Sequence, residues 1–320
     1  MPVFDAFDDD LDDLKERAAD PDAGVRRVAM MELAEQVGPE AIVLLLKGLG
    51  DPDPEVRAAA AKALDEHDGP EVVEGLVGSL EDPDETVRLS AAESLADKKE
   101  PSCGPLLIER AEHSDPFVQA AALRALRELT LPDALAAALK ALRNPAPEVR
   151  REGLGVIGWL KAEQAMPALI ATASDEDPTV RRATMSALVF VRPGGPGAST
   201  LVAGLSDPHW QVREEAAVSA AKIRLPEATV ALIGALGDDV WQVRIKAANA
   251  LGRLKAESAV DALGPLLDSD IPNLRKEAAA ALGEIASPAA IPALERAMDD
   301  PDPDVRKMIR WALGRCHAAV

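Results

Sequence analysis

The stretch DPDPEVRAAAAKALDEHDGPEVVEGLVGSL, residues 51–80, contains the helix signals that decide the fold. Asp53 can accept a hydrogen bond at a helix N-terminus, and Pro54 suits the first helical position. The apolar segment VRAAAAKALDE follows, and the break HDGP then leads into a second apolar segment, EVVEGLVGSL. This pattern predicts two α-helices that form a helical hairpin.

The Val-Arg pair within this stretch returns at a fixed interval through the chain. The interval is 31 residues each time, except for 32 residues between positions 180 and 212. Repeated hairpins of this length stack into a solenoid, because each one buries its apolar face on its neighbours. The ten pairs, allowing close variants, are Val25-Arg26, Val56-Arg57, Val87-Arg88, Val118-Gln119, Val149-Arg150, Val180-Arg181, Val212-Arg213, Val243-Arg244, Leu274-Arg275 and Val305-Arg306.

The composition predicts a globular protein with a core of small side chains. Hydrophobic residues make up 48% of the 320 residues but aromatic residues only 2%, so Ala, Leu and Val supply most of the apolar content. A chain this apolar is not disordered. We predict a single solenoid domain over residues 1–320, with an irregular junction near 191–200, where VRPGGPGAST replaces a regular helix start.

The formal net charge of −20 limits the classes of partner. Electrostatic repulsion opposes binding to a nucleic acid backbone or to an anionic membrane, so we expect neither as a partner. The acidic N-terminal segment lacks the apolar stretch of a signal peptide, and no segment approaches the roughly 20 apolar residues of a membrane helix. These features predict a cytoplasmic protein.

The turn followed by the phrase VRxxAAxAL resembles HEAT-like repeats, in the short form found in phycobilisome-lyase-type HEAT proteins. This resemblance covers almost the whole chain. It implies an all-α fold, a right-handed α-α superhelix of about ten 31-residue hairpins. It also implies a ladder of ion pairs between a turn Asp and a helix Arg, with a carboxylate such as Asp51 offsetting the charge of Arg57 in the first turn of its helix.

One face of the repeated helix predicts close helix packing. If the Val of each pair is position 0, positions 0, 4, 8 and 11 lie on one side at 100° per residue. Position 4 is Ala, Gly or Thr in nine of the ten repeats, which lets neighbouring backbones approach closely. The last repeat instead has Ile309 followed by the charged Arg310, which indicates a terminal cap.

Positions 2, 3, 6 and 10 lie on the opposite side, which the resemblance implies is the concave surface of the solenoid. Position 10 begins acidic, becomes aromatic in the middle repeats and ends mostly basic. Two interpretations are open, a sorted binding surface or chance among ten positions. The column reads Glu35, Glu66, Asp97, Glu128, Trp159, Phe190, Lys222, Arg253, Glu284 and Arg315.

Four aromatic side chains are candidate anchors for a partner. Trp159 and Phe190 occupy position 10 of consecutive repeats, and Trp210 and Trp241 occupy position −2, where six other repeats have Pro. Aromatic side chains often dominate the energetics of binding interfaces. The alternative interpretation is that Trp210 and Trp241 stack on each other or fill a packing gap at the irregular junction.

The last repeats add basic side chains on the same side, opposed by only Glu277 and Glu284. They predict that this end meets an acidic segment of a protein partner or a cofactor-bearing protein. The basic candidates are Lys246, Arg253, Lys276, Lys307 and Arg315.

No sequence motif marks an enzyme. The segment PGGPGAST, residues 193–200, lacks the Gly-Lys-Ser/Thr ending of a phosphate-binding loop and follows no predicted strand. The four His residues occupy unrelated positions in the repeat, and the chain has no His-Glu dipeptide of the kind used by di-iron hydroxylases built from HEAT repeats. We therefore predict no catalytic residues, no cofactor and no metal site.

These observations favour a non-enzymatic scaffold, adaptor or assembly factor that binds protein on its concave surface. The alternative comes from the resemblance, which makes a bilin lyase or isomerase conceivable, with the aromatic side chains holding a tetrapyrrole. The sequence does not identify the partner.

Overall fold

A computed structural model describes the backbone of residues 5–319 and the side chains of residues 11–319. Within that range the chain forms twenty α-helices and no β-strand. The predicted all-α repeat fold is therefore confirmed. The helices pack into two compact units, Met1–Leu160 and Lys161–Val320, which are described separately. The prediction of a single domain stays a prediction.

The first unit contains ten helices. Short 3-10 turns at Leu64–Glu66 and Pro101–Cys103 extend or precede them. The helices are α1 (Asp5–Arg17), α2 (Ala23–Leu33), α3 (Pro39–Gly48), α4 (Pro54–Ala63), α5 (Pro70–Ser79), α6 (Glu85–Ala96), α7 (Gly104–Arg110), α8 (Pro116–Leu129), α9 (Ala134–Ala141) and α10 (Pro147–Leu160).

The second unit contains the other ten helices. Six 3-10 turns connect or extend them, at Glu163–Ala165, Leu188–Phe190, Pro226–Ala228, Glu257–Ala259, Gly264–Asp268 and Pro288–Ala290. The helices are α11 (Met166–Thr172), α12 (Pro178–Ala187), α13 (Ala198–Gly204), α14 (Trp210–Ile223), α15 (Thr229–Ala235), α16 (Trp241–Leu254), α17 (Val260–Leu263), α18 (Pro272–Ile285), α19 (Ile291–Arg296) and α20 (Pro303–His317).

The even-numbered helices, which we call the Val-Arg helices, each carry one Val-Arg pair or its variant. Within a unit they pack side by side, as α4 does on α6 and α16 on α18. Each also packs on the helix before it, as α6 does on α5 and α16 on α15. Our prediction that the Val-Arg helix is the first helix of its hairpin is therefore wrong. The two breaks around it have similar lengths, so the sequence did not show which one closes the hairpin.

Most Val-Arg helices begin as the sequence predicts. The Asp53 side chain accepts a hydrogen bond from the Glu55 N–H at 2.8 Å, and Pro54 is the first residue of α4. Three helices of the second unit differ, because their N-cap residues have no side-chain cap bond. These residues are His209, Val240 and Ile271.

Position 4 is closely packed in the core. A Cβ on Gly153 would lie 2.9 Å from the Ala138 carbonyl oxygen, so this contact between α10 and α9 needs glycine. Thr184 fits at the same position because its hydroxyl donates to the Val180 carbonyl oxygen. In the last repeat of this sequence Ile309 is fully buried and Arg310 is exposed.

The irregular junction at 191–200 contains two glycines with left-handed backbone. Gly194 has φ 72° and Gly197 has φ 88°. A Cβ on Gly197 would also lie 2.7 Å from Met166 Sδ, so this buried position requires glycine for both its conformation and its packing. The junction accommodates the extra residue that lengthens this repeat to 32.

Candidate protein-binding site

A ladder of Arg-Asp pairs joins consecutive repeats and fixes the Val-Arg helices beside one another. Arg57 donates from Nε and Nη2 to the carboxylate of Asp82, both at 2.8 Å. Its Nη1 donates to the backbone carbonyl of Asp51, so the predicted ladder exists but the predicted carboxylate partner of Arg57 was wrong. Other pairs of this type include Arg26–Asp51, Arg181–Asp207, Arg213–Asp238 and Arg275–Asp300.

The ladder keeps its carboxylates ionised. The hydrogen bond from Arg57 lowers the pKa of Asp82 below its usual value. Burial raises the pKa of Asp207, but the hydrogen bonds from Arg181 and from the His209 N–H outweigh it, so the net shift is downward. The pKa of the carboxyl group is also lowered, chiefly by the partner arginine, at Asp51, Asp238 and Asp300.

Two repeats replace the ladder carboxylate and provide another contact. Arg88 lies over the ring of Phe117, with its guanidinium carbon 5.8 Å from the ring centroid, and His113 occupies the Asp position. Gln119 replaces Arg in the next repeat, and its amide oxygen accepts a hydrogen bond from Asn144 Nδ2 at 2.7 Å. The ladder therefore tolerates loss of the carboxylate where another side chain, Phe117 or Asn144, contacts the residue at the Arg position.

In the second unit, positions 2, 3, 6 and 10 of the Val-Arg helices form one solvent-facing surface, which we call the groove face. It is carried by α14, α16, α18 and α20, and it contains two neighbouring grooves. This placement agrees with the face that helical spacing predicted.

The first groove lies between α14, α16 and α18 and has a volume of about 190 Å³. Its cations are Lys222, Lys246 and Arg253, against the single carboxylate of Glu277, which gives it a local charge of +2. Asn249 Nδ2 donates to Glu277 Oε1 at 2.8 Å and spans from α16 to α18. The remaining lining residues are Val218, Ala221 and Ile245.

The second groove lies between α18 and α20 and has a volume of about 450 Å³. Its apolar lining comes from Ala280, Met308 and Trp311. Two cations and two carboxylates surround this lining, so the groove has no net charge. The charged lining residues are Lys276, Glu284, Asp304 and Lys307.

Trp311 is a candidate that our sequence analysis missed. Its ring packs against Gly283, where an added Cβ would lie 2.3 Å from a ring atom, yet its side chain remains 42% exposed. Trp311 occupies position 6 of the last repeat, whereas the sequence prediction rested on positions 10 and −2. The same comparison at position 6 would have found it.

The predicted basic residues divide between the two grooves. Lys246 and Arg253 share the first groove, and Lys276 and Lys307 share the second. Arg315 lines neither groove, and its Nε donates to the backbone carbonyl of Gly283. The basic character is therefore strongest beside α16.

The predicted aromatic anchors differ in exposure. Trp159 lies on α10 in the first unit and is 55% exposed, whereas Phe190 lies in a 3-10 turn of the second unit and is half-buried. Trp241 begins α16 and is 41% exposed. Trp210 begins α14 and its ring stacks on His209, with centroids 6.5 Å apart. The binding role of all four stays a prediction.

Charge is distributed unevenly between the two halves of the sequence. Residues 1–160 contain 34 acidic and 17 basic residues, a net charge of −17. Residues 161–320 contain 21 acidic and 18 basic residues, a net charge of −3. An acidic ligand therefore meets much less repulsion in the second half, where the two grooves lie.

The described residues offer neither a metal-binding cluster nor a membrane-spanning helix. Across residues 11–319, no group of three or more His, Cys, Asp and Glu side chains is arranged to hold a metal ion. No helix in the described range is long and apolar enough to cross a membrane.

The paired helices and the Arg-Asp ladder define a HEAT-type solenoid. The sequence matches the HEAT repeats family over residues 11–96, 74–153, 135–202 and 232–314, which is more than half of the chain. The chain therefore belongs to the HEAT repeat family. No curated protein matches it.

Solved structures with the same fold include YibA of E. coli, importin beta and Kap95p. YibA is 19% identical, with a TM-score of 0.62, and the match covers 83% of this chain and 98% of YibA. Importin beta is 17% identical, with a TM-score of 0.63, over 97% of this chain and 51% of importin beta. Kap95p, described as binding RanGDP, is 15% identical, with a TM-score of 0.56, over 95% of this chain and 48% of Kap95p. Such low identities show the fold alone.

Proposed function

We propose that the protein is a non-enzymatic scaffold that holds a protein partner on the groove face. The observation that carries this proposal is the groove face itself. Four consecutive Val-Arg helices expose cationic and apolar side chains in two neighbouring grooves, although the chain has a net charge of −20. The binding of RanGDP by Kap95p supports the use of a HEAT solenoid in this way.

The lining of the two grooves suggests the chemistry of the partner segment. Acidic side chains suit the first groove, because Lys246 and Arg253 face a single carboxylate there. An apolar side chain suits the second groove, because the exposed Trp311 and the half-buried Met308 line it and the groove has no net charge. We infer a partner segment that combines acidic residues with at least one large apolar residue.

The exposed aromatic residues supply further anchors in this proposal. Trp159 and Trp241 each present more than two fifths of their side-chain surface to solvent, so a partner can bury substantial apolar area on them. Trp210 and Phe190 are already partly covered and contribute less.

A charge-reversal pair tests this proposal. Lys246→Glu with Arg253→Glu changes the first groove, and Arg224→Glu with Lys255→Glu makes the same change in net charge at exposed residues outside both grooves. Each full-length variant is used to capture proteins from native lysate, and bound proteins are quantified by mass spectrometry against wild type.

We expect the groove variant to lose specific proteins that wild type and the control variant both retain. The proteins that only the groove variant loses should carry the acidic and apolar segment. A synthetic copy of that segment should bind the wild-type protein directly. Equal capture by all three proteins, or no capture by wild type, would contradict the proposal.

Bilin attachment or isomerisation stays a prediction from the finer resemblance to phycobilisome-lyase-type repeats. No specific contact among the described residues favours it, so we do not propose it. An absorbance shift on mixing the protein with bilin would bring it back into consideration.

A further inference from the structure

Arg244 lacks the carboxylate that neighbouring ladder arginines use. Ser269 occupies the position of the ladder Asp, and its Oγ accepts a hydrogen bond from the Ile271 N–H at 3.2 Å. The ladder Asp makes the same backbone contact in other repeats, as Asp82 does with the Asp84 N–H. Ser269 therefore keeps one role of the aspartate but provides no carboxylate for Arg244.

The Arg244 side chain is half-buried, and one of its donors lacks a hydrogen-bond partner. Its Nε is buried and, among the described side chains, has no hydrogen-bond partner. We call each Arg-Asp pair of the ladder a rung. The rungs on either side of Arg244 are complete, since Arg213 pairs with Asp238 at 2.6 Å and Arg275 pairs with Asp300 at 2.6 Å. A buried, charged donor without an acceptor is unfavourable, so an acceptor from outside would relieve a cost already present in the fold.

The altered rungs of the first unit do not share this feature. There Arg88 has the ring of Phe117, and Gln119 has the amide of Asn144. Loss of the carboxylate was compensated at those two rungs, and at Arg244 it was not.

We propose that Arg244 binds a carboxylate supplied from outside the ladder, beside Trp241. The two side chains are three residues apart on α16 and therefore lie on neighbouring surface of the helix. Trp241 is 41% exposed, and the first turns of a helix favour an anion. The carboxylate belongs either to an acidic side chain of a bound protein or to a small free acid. Neither residue lines the two grooves. The site shares Trp241 with the proposed function, but its test follows Arg244 alone and does not depend on capture of a partner.

The resonance of the Arg244 Nε–Hε group gives a direct test on the full-length ¹⁵N-labelled protein. The resonance is assigned because it disappears from the spectrum of Arg244→Gln. The Nε–Hε resonances of Arg213 and Arg275, whose side chains pair with carboxylates, serve as references in the same spectrum. Sodium acetate is titrated in exchange for sodium chloride at constant ionic strength. A second titration uses a blocked peptide of alternating Asp and Glu at the same carboxylate concentration.

We expect a saturable downfield shift of the Arg244 resonance with acetate, the peptide or both, while Arg213 and Arg275 stay unchanged. A tighter response to the peptide assigns the site to a protein side chain, and an equal response assigns it to a free carboxylate. In Ser269→Asp, the Arg244 resonance should lie at the shifted position without ligand and should not move further during the titration. In Ser269→Ala, the resonance should still shift when the carboxylate is added. No response to either ligand, or the same response in Ser269→Asp, would overturn the proposal.

Discussion

Arg57 and Asp82 join two repeats through two parallel hydrogen bonds, Nε to Oδ2 and Nη2 to Oδ1, each 2.8 Å long. The two side chains are only 14% and 10% exposed. The same Arg57 also donates to the Asp51 carbonyl, so one guanidinium connects its own turn to the turn of the next repeat. This contact is one of the features that hold the Val-Arg helices side by side.

Removing the charge of Asp82 should therefore destabilise the protein. We expect Asp82→Asn to lower the free energy of unfolding by about 1.5–3 kcal/mol, because the buried guanidinium loses its charged acceptor. The matched control is Glu55→Gln, since Glu55 also pairs with an arginine, Arg27, but is 72% exposed. The control should cost less than about 1 kcal/mol in urea unfolding followed by circular dichroism. Equal losses in the two variants would count against a structural role for the ladder.

The ladder also predicts how stability depends on pH. The pKa of Asp82 and the other rung carboxyls is lower in the folded protein than the usual value of 3.8. The contribution of these carboxylates to the free energy of unfolding is therefore complete above about pH 4. It is lost as the pH falls through their lower pKa in the folded protein. In urea unfolding from pH 7 to pH 3, the stability difference between wild type and Asp82→Asn should shrink below pH 4. A difference that stays constant to pH 3 would refute this linkage.

Two helical glycines should respond in opposite directions to the same substitution. Gly153→Ala places a methyl group 2.9 Å from the Ala138 carbonyl oxygen and should cost about 1–3 kcal/mol of unfolding free energy. Gly78 lies on α5 with open space around it, so Gly78→Ala should stabilise by up to about 1 kcal/mol. Thermal unfolding of both variants checks this. The close packing at position 4 would be disproved by a neutral Gly153→Ala.

Ala286 ends α18 in a left-handed conformation, with φ 57°. Replacing it with glycine should raise the free energy of unfolding by about 0.5–1 kcal/mol, because glycine adopts this conformation without steric cost. Ala297→Gly is the comparison, since Ala297 follows α19 with φ −90°. It should give no gain, and a similar gain at both sites would show that the backbone conformation is not the cause.

Much of the fold followed from the sequence because its signals are local. An N-cap Asp and a Pro at the first helical position act within one turn of chain, so the start of α4 was predicted correctly. Spacing alone also separated the packed side of each Val-Arg helix from its opposite side. These properties belong to single helices and do not depend on which helix lies next to them.

Properties that depend on neighbours were harder to predict. The carboxylate partner of Arg57 is Asp82 rather than Asp51, because the ladder runs forward to the next repeat. The hairpin partner of each Val-Arg helix was also misjudged. Asp304 and Trp311 line the second groove from α20. The sequence prediction considered the basic residues of this end and therefore did not include them.

The central claim is that the groove face binds protein, and site-specific photo-crosslinking tests it most directly. A benzophenone amino acid is introduced at Ala280, which lines the second groove, or at Val230, which is 82% exposed on α15 outside both grooves. After irradiation in lysate, we predict discrete crosslinked proteins from position 280 that are absent from position 230 and are lost on adding Lys246→Glu with Arg253→Glu. No product at position 280, or the same products from both positions, would contradict the claim.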